Sequence, residues 1–346
     1  MKTFSTFFLF LISFTITAQI VNIPDDNFKA YLVGNTQINT NGDAEIQVSE
    51  ANSFAGNIDC SNVGISVLNG IESFVNIQSL NVKNNFLENI DISKNINLKI
   101  LDCSSNNLEH IDLSKNINLE NLDCGINKLI DIDVSKNINL KYLRLVNNNL
   151  LLLDLDQNSE LISLDCALNP IFLLYLDKNL KLQKIYCANT EITSLDLSYN
   201  KNLTFVLCSG NPYLTNFNMQ NNNNSKITGF HANNNQNLFC IQVDNVAYSN
   251  SNWPDKDVSA NYNTDCILGV NDVKKSKIHI YPNPAKDKFT INTTDKIENI
   301  EVYSQNGQLL KTASTREINI SNLPKGIYLV KIKTDKENLS QKLIKE

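Results

Sequence analysis

Apolar and polar positions recur along the middle of the chain at a fixed distance. Leu101-Asp102-Cys103, Leu122-Asp123-Cys124 and Leu143-Arg144-Leu145 each set a polar residue between two apolar ones, and each triplet lies 21 residues after the last. Cys166, Cys187 and Cys208 continue the series, Val82 precedes it, and Cys60 lies one further unit back with a single extra residue. Such alternation predicts a short strand with one face inward. Every unit ends on a second alternating motif, as in Ile111-Asp112-Leu113, Ile132-Asp133-Val134 and Leu195-Asp196-Leu197. That motif predicts another short strand or extended turn on the outer side and leaves no room for a long helix. A unit of this size cannot bury its apolar face alone, so successive units must stack. Stacked strands pair in parallel about 4.8 Å apart. The pattern therefore predicts a β-rich solenoid.

Asparagine follows the same period. One column runs Asn85, Asn106, Asn127, Asn148, Asn169, Thr190, Asn211, and a second runs Asn95, Asn116, Asn137, Asn158, Asn179, Asn200. An inward amide at a turn can pair with backbone groups that would otherwise be stranded, so both columns read as structural. The string L-x-x-L-x-L/C-x-x-N-x-L, carried by Leu101-Asp102-Cys103-Ser104-Ser105-Asn106 and its copies, resembles the leucine-rich repeat. The variant with Leu-Asp-Leu-Ser in its second half resembles the short bacterial class. The resemblance implies a mainly β fold: a leucine-rich-repeat solenoid of about eight 21-residue coils over residues 54–238. A small helical N-terminal cap and a C-terminal β-sandwich domain complete it.

The ends of the chain differ from the repeat. Met1-Lys2, the apolar run Phe7 to Phe14 and the small residue Ala18 read as a secretory signal, residues 1–18. No later run is long and apolar enough to span a bilayer. Residues 19–53 form the expected N-terminal cap, with a short helix within 22–33 started by Pro24 and Asp25 and ended by Gly34. Asn39, Asn41, Asp43, Glu45 and Glu50 then space oxygen-bearing side chains in a way that resembles an EF-hand loop, for which calcium would be the cofactor. Asn39 stands where Asp is usual and Ala44 where Gly is, so the alternative is a turn plus strand belonging to the cap; no other cofactor is implied.

Eight cysteines in an exported chain suggest disulfides. The ladder position argues otherwise for most of them. Stacked side chains about 4.8 Å apart miss the roughly 3.8 Å Cβ separation of a disulfide, and the same slot accepts Val82 and Leu145. These thiols read as buried and inert. Cys240 and Cys266 lie outside the ladder, in an expected C-terminal cap over 239–267, and are the candidate disulfide.

Residues 268–277 read as a linker, and 278–346 as a small all-β sandwich. Tyr281-Pro282-Asn283-Pro284, the Asn306-Gly307 turn, Gly326-Ile327-Tyr328 and the basic Lys342-Leu343-Ile344-Lys345 tail resemble the C-terminal sorting domain of the Bacteroidetes type IX secretion system. That resemblance implies contact of 278–346 with the secretion machinery and a protein that is secreted or held on the outer cell surface.

Composition narrows the function. The net charge of −6 lacks the basic excess of a nucleic-acid partner. Three histidines set far apart, and no G-x-S-x-G, H-E-x-x-H, P-loop or Rossmann pattern, argue against an enzyme. The outward strand positions gather Tyr142, Arg144, Asp165, Lys184, Tyr186 and Phe205. Large aromatics and Arg are the usual interface anchors, so this is the candidate ligand-binding face for a protein or glycan on an interaction or adhesion module expected to be monomeric. The alternative is a passive surface scaffold or stalk. The Asp91, Asp112, Asp133, Asp154 column could bind cations or accept turn hydrogen bonds.

Overall fold

The structure is a computed structural model that describes residues 19–266, 278–304, 308–336 and 338–345. The expected signal segment, the whole 268–277 linker and the Asn306-Gly307 turn fall outside these residues.

The central body is a mainly β solenoid. Nine three-residue strands form one continuous parallel sheet, from Asn57–Asp59 through Ser79–Asn81, Ile100–Asp102, Asn121–Asp123, Tyr142–Arg144, Ser163–Asp165, Lys184–Tyr186 and Phe205–Leu207 to Gly229–His231. Register is constant: Leu80 pairs Leu101, Leu101 pairs Leu122, Leu122 pairs Leu143 and Leu143 pairs Leu164. Each middle residue points inward and its two neighbours outward, as a two-residue period requires. Cys60, Val82, Cys103, Cys124, Leu145, Cys166, Cys187 and Cys208 follow in one file, each fully buried.

The outer motif is mostly extended turn. Only from Ser194–Asp196 onward does it form paired strands, with Asn216–Met219, Cys240–Val243 and Asn261–Asn263 in a second parallel sheet.

The first asparagine column closes the turns. Asn106 donates through Nδ2 to the carbonyls of Val82 and Cys103 and accepts at Oδ1 from the Leu87 amide, all at 3.0 Å. In the second column Asn137 donates to Leu113 and Asn116 of the preceding coil.

Both ends of the core are covered. Helix Asp26–Gly34 buries Phe28 and Leu32, and its N-cap Asp25 also accepts from the Ser66 and Val67 amides of the first coil. After the 39–47 turn the chain forms a second helix, Val48–Ser53, where a strand was the expected continuation. Gln47 and Glu50 make a reciprocal capping box that starts it. At the other end helix Val246–Asn252 leads to Trp253, which stacks on Phe230 with ring centroids 4.5 Å apart.

The C-terminal domain is an antiparallel sandwich. A three-stranded sheet of His279–Tyr281, Lys288–Asn292 and Glu317–Asn319 faces a four-stranded sheet of Leu309–Ala313, Ile297–Tyr303, Gly326–Thr334 and Asn338–Lys345. Phe289, Ile291, Ile300, Val302, Val330, Ile332 and Leu343 form its core.

Candidate ligand-binding face

The outward residues of the nine-stranded sheet form two rows. In one row Asn121, Tyr142, Ser163, Lys184 and Phe205 succeed one another; in the other Asp102, Asp123, Arg144, Asp165, Tyr186, Leu207 and His231 do. Tyr142, Arg144, Asp165, Lys184, Tyr186 and Phe205 therefore share one surface. An open groove across its centre is lined by Ile100, Asp102, Tyr142, Arg144, Asp165 and Tyr186.

Charge and aromaticity divide the face. In its middle Arg144 reaches a carboxylate on either side, with Nη1 3.2 Å from Asp123 Oδ2 and Nε 3.3 Å from Asp165 Oδ2. Burial raises the Asp165 pKa, and the Ala167 amide and Arg144 offset only part of that. Toward the C-terminal end the Tyr186, Phe205 and His231 rings form a strip with centroids 5.0 and 5.6 Å apart. The Phe205 ring lies over Gly229, where any Cβ would come within 2.4 Å of it. His231 Nδ1 is 2.6 Å from Asp255 Oδ2, and Asn233 holds the other oxygen of that carboxylate at 2.6 Å.

The rim adds a feature that sequence spacing hides. Just past the strands, one residue per coil adopts a left-handed backbone: Asn84, Ser105, Ile126, Asn147, Leu168 and Asn189. Asn suits that conformation, whereas a β-branched residue is an outlier there. Ile126 and Leu168 nevertheless occupy it at φ 56° and stand 46% and 49% exposed. Sequence reading also missed His231 and Asp255 on this face. Their coil is three residues longer than its predecessors, Phe205 to Gly229 in place of Lys184 to Phe205, which moves His231 off the 21-residue count.

Other candidate residues sit elsewhere. Cys240 and Cys266 form a disulfide with Cα atoms 5.7 Å apart. In the 39–50 loop Asn39 donates to the Val33 and Asp43 carbonyls, and Asp43 accepts from the Glu45 amide and from Asn41 and Gln47. Glu45 pairs with Lys29 at 2.6 Å, and Glu50 accepts from the amides of Thr40, Asn41 and Gln47. The Asn39 and Asn41 side-chain oxygens accept from the Gly42 and Asp43 amides. Among the described residues no group of three or more His, Cys, Asp or Glu is placed to hold a metal. The outer aspartates serve turns: Asp91, Asp112, Asp133 and Asp154 each accept from the amide two residues on.

Fold and face together define a parallel β-solenoid built mostly of 21-residue coils, with an appended β-sandwich. Residues 279–346 of that sandwich match the family described as "Secretion system C-terminal sorting domain". The chain thus carries a type IX sorting domain and is a secreted or cell-surface protein. No curated protein matches the sequence. Among solved structures the chain is similar to an internalin C2 from Listeria monocytogenes, at 19% identity and TM-score 0.46, covering 64% of this chain and 93% of that one. It is similar to a leucine-rich repeat protein of Leptospira interrogans at 17% identity and TM-score 0.43, covering 62% of each chain. A functional domain of InlJ from Listeria monocytogenes, which includes a cysteine ladder, aligns at 17% identity and TM-score 0.27 over 96% of this chain and 100% of that one. Among the described residues no helix is long and apolar enough to cross a membrane.

Proposed function

We propose that this chain is a non-enzymatic interaction or adhesion module, exported by the type IX system, that binds a ligand on the strand face of its solenoid. The observation that carries the reading is the rim beside Arg144. Ile126 and Leu168 hold exposed apolar side chains in a backbone conformation where Asn, used by the neighbouring coils, is the better choice for folding. With Tyr142, 48% exposed, and the paired Arg144, they make the aromatic, aliphatic and guanidinium mixture of a protein-binding centre. A protein ligand is the first reading. The Tyr186–Phe205–His231 strip favours a glycan as the second, because sugar rings stack on aromatic faces through their C–H groups.

The test uses the mature chain, residues 19–346, immobilised and exposed to outer-surface proteins and to a glycan array. Capture by wild type that is lost in Tyr142→Ala/Arg144→Ala, with the variant still unfolding cooperatively above the assay temperature, supports the reading. Equal capture by both forms places the ligand away from Tyr142 and Arg144 and overturns this site, and no capture by wild type favours a passive scaffold.

A further inference from the structure

The repeat breaks its own pattern on one flank, away from the strand face. The position ahead of the outer motif is Asn89, His110 and Asp131 in three coils, then Leu152 and Leu173, then Ser194. The motif's central residue is Asp112, Asp133 and Asp154, then Tyr175, then Asp196. Two residues on, Ser93, Ser114 and Ser135 give way to Asp156 and Asp177 before Ser198 restores the pattern. Phe172 stands where the coils on either side have Leu151 and Thr193. Two adjacent coils thus exchange a polar flank for an apolar one edged with carboxylates.

The sorting domain sits on that flank. Its four-stranded sheet turns one face to its own core and the other to the solenoid. Lys342, on the outward face, places Nζ 3.3 Å from Asp154 Oδ1 and 3.2 Å from Asp156 Oδ2, with its side chain only 16% exposed. Lys331 Nζ stands 5.5 Å from the Phe172 ring centroid and 5.2 Å from that of Tyr303. Leu329 pairs with Lys342 across the sheet and shares its face. It is 2% exposed yet belongs to neither hydrophobic core, and the same is true of Phe172 at 6%. A narrow cleft between the two bodies is lined by Leu152, Leu173 and Tyr175 from one side and Ile327 and Lys342 from the other.

We propose that this flank is a seat for the chain's own sorting domain, so that the domain is docked on its cargo and not held by a tether alone. Lys342 belongs to the basic tail of that domain, and the seat keeps it paired with Asp154 and Asp156. The repeat departures and the sandwich's outward face answer each other in chemistry: leucine, phenylalanine and tyrosine against isoleucine and leucine, two carboxylates against one ammonium. Tethering favours the contact further, because both partners lie on one chain and meet at high effective concentration. Separation of the domain leaves Leu152, Phe172, Leu173 and Tyr175 uncovered. The contact is independent of the strand-face reading, since none of these residues lies on that face.

The experiment uses the chain 19–346 and reads amide exchange in the 151–156 and 172–177 segments together with the maximum dimension from small-angle scattering. Asp154→Lys/Asp156→Lys sets like charges against Lys342 and should speed exchange in 172–177 on the order of tenfold and lengthen the particle. Adding Lys342→Glu to that variant should restore both readings towards wild type. Lys342→Glu alone should undock the domain while the solenoid's melting transition stays in place, which separates undocking from misfolding. Unchanged exchange and dimensions in the charge-reversed chain, or failure of the swap to restore them, overturns the proposal. So does a wild-type chain that protects this flank only as concentration-dependent dimers.

Discussion

Arg144 and Asp165 belong to adjacent coils and meet on the open strand face, Nε to Oδ2 at 3.3 Å, while a second nitrogen of the same guanidinium reaches Asp123. Burial pushes the Asp165 pKa up, so its charge is held against a desolvation cost that Arg144 partly offsets. Arg144→Ala should therefore destabilise the solenoid more than the Arg144→Ala/Asp165→Asn double variant. A double-mutant cycle in urea should return a coupling of about 1 kcal/mol, as both side chains are partly exposed. Coupling indistinguishable from zero would overturn the claim that Arg144 offsets the cost of burying Asp165.

The asparagine columns differ in what they leave behind when cut. Asn148 donates to the Cys124 and Leu145 carbonyls and accepts from the Leu129 amide at 3.0 Å. Asn158 donates to Val134 and Asn137, but its Oδ1 has no hydrogen-bond partner in the described structure. Asn148→Ala strands a buried N–H and should cost about 1–3 kcal/mol. Asn158→Ala should cost less, because the oxygen it removes is already unsatisfied. Equilibrium denaturation of the two variants checks the order, and a reversed order would contradict the pairing described here.

Six cysteines are free and buried. Burial, with Asp59 next, pushes the Cys60 thiol up to about 12, and burial likewise lifts Cys166, Cys187 and Cys208 well above the ordinary thiol value. The thiolate is the reactive form. A water-soluble thiol reagent at pH 8 should thus label the native protein at least 10³-fold more slowly than the guanidinium-unfolded chain. Fast labelling of the native protein would place these side chains outside the core.

The N-terminal cap should be acid-sensitive. Burial works against the carboxylates of Asp25 and Glu50, but backbone N–H donors outweigh it and hold both pKa values below the ordinary range. A lowered folded-state pKa contributes stability above the unfolded value and loses it as pH falls through the folded one. Asp25→Ala should cost about 1 kcal/mol at pH 7 by loss of the helix N-cap. The gap from wild type should close below the ordinary carboxylate range, as the native Asp25 protonates. Urea midpoints across that range would reveal a pH-independent gap if the carboxylate charge were irrelevant.

How far the structure could be read in advance varied with the range of the interactions involved. The ladder of Cys103, Cys124 and Cys166 and the turn role of Asn106 were legible because each coil repeats the same contacts at the same spacing. Helix Val48–Ser53 was not. Its start depends on Gln47 and Glu50 capping each other, in a segment whose carboxylates also looked suited to a cation. His231 was passed over because its longer coil leaves the 21-residue count, although its backbone pairs in register with Leu207.

From the sequence alone came the solenoid, its inward and outward positions, and the sorting domain. A repeated unit that must stack to bury its apolar face admits one arrangement of its copies. Tertiary structure decided what lies between different parts of the chain: Phe205 over Gly229, His231 against Asp255, and Lys342 between Asp154 and Asp156. These pairings depend on how coils of unequal length and a separate domain come to rest against one another. No period in the sequence encodes that distance.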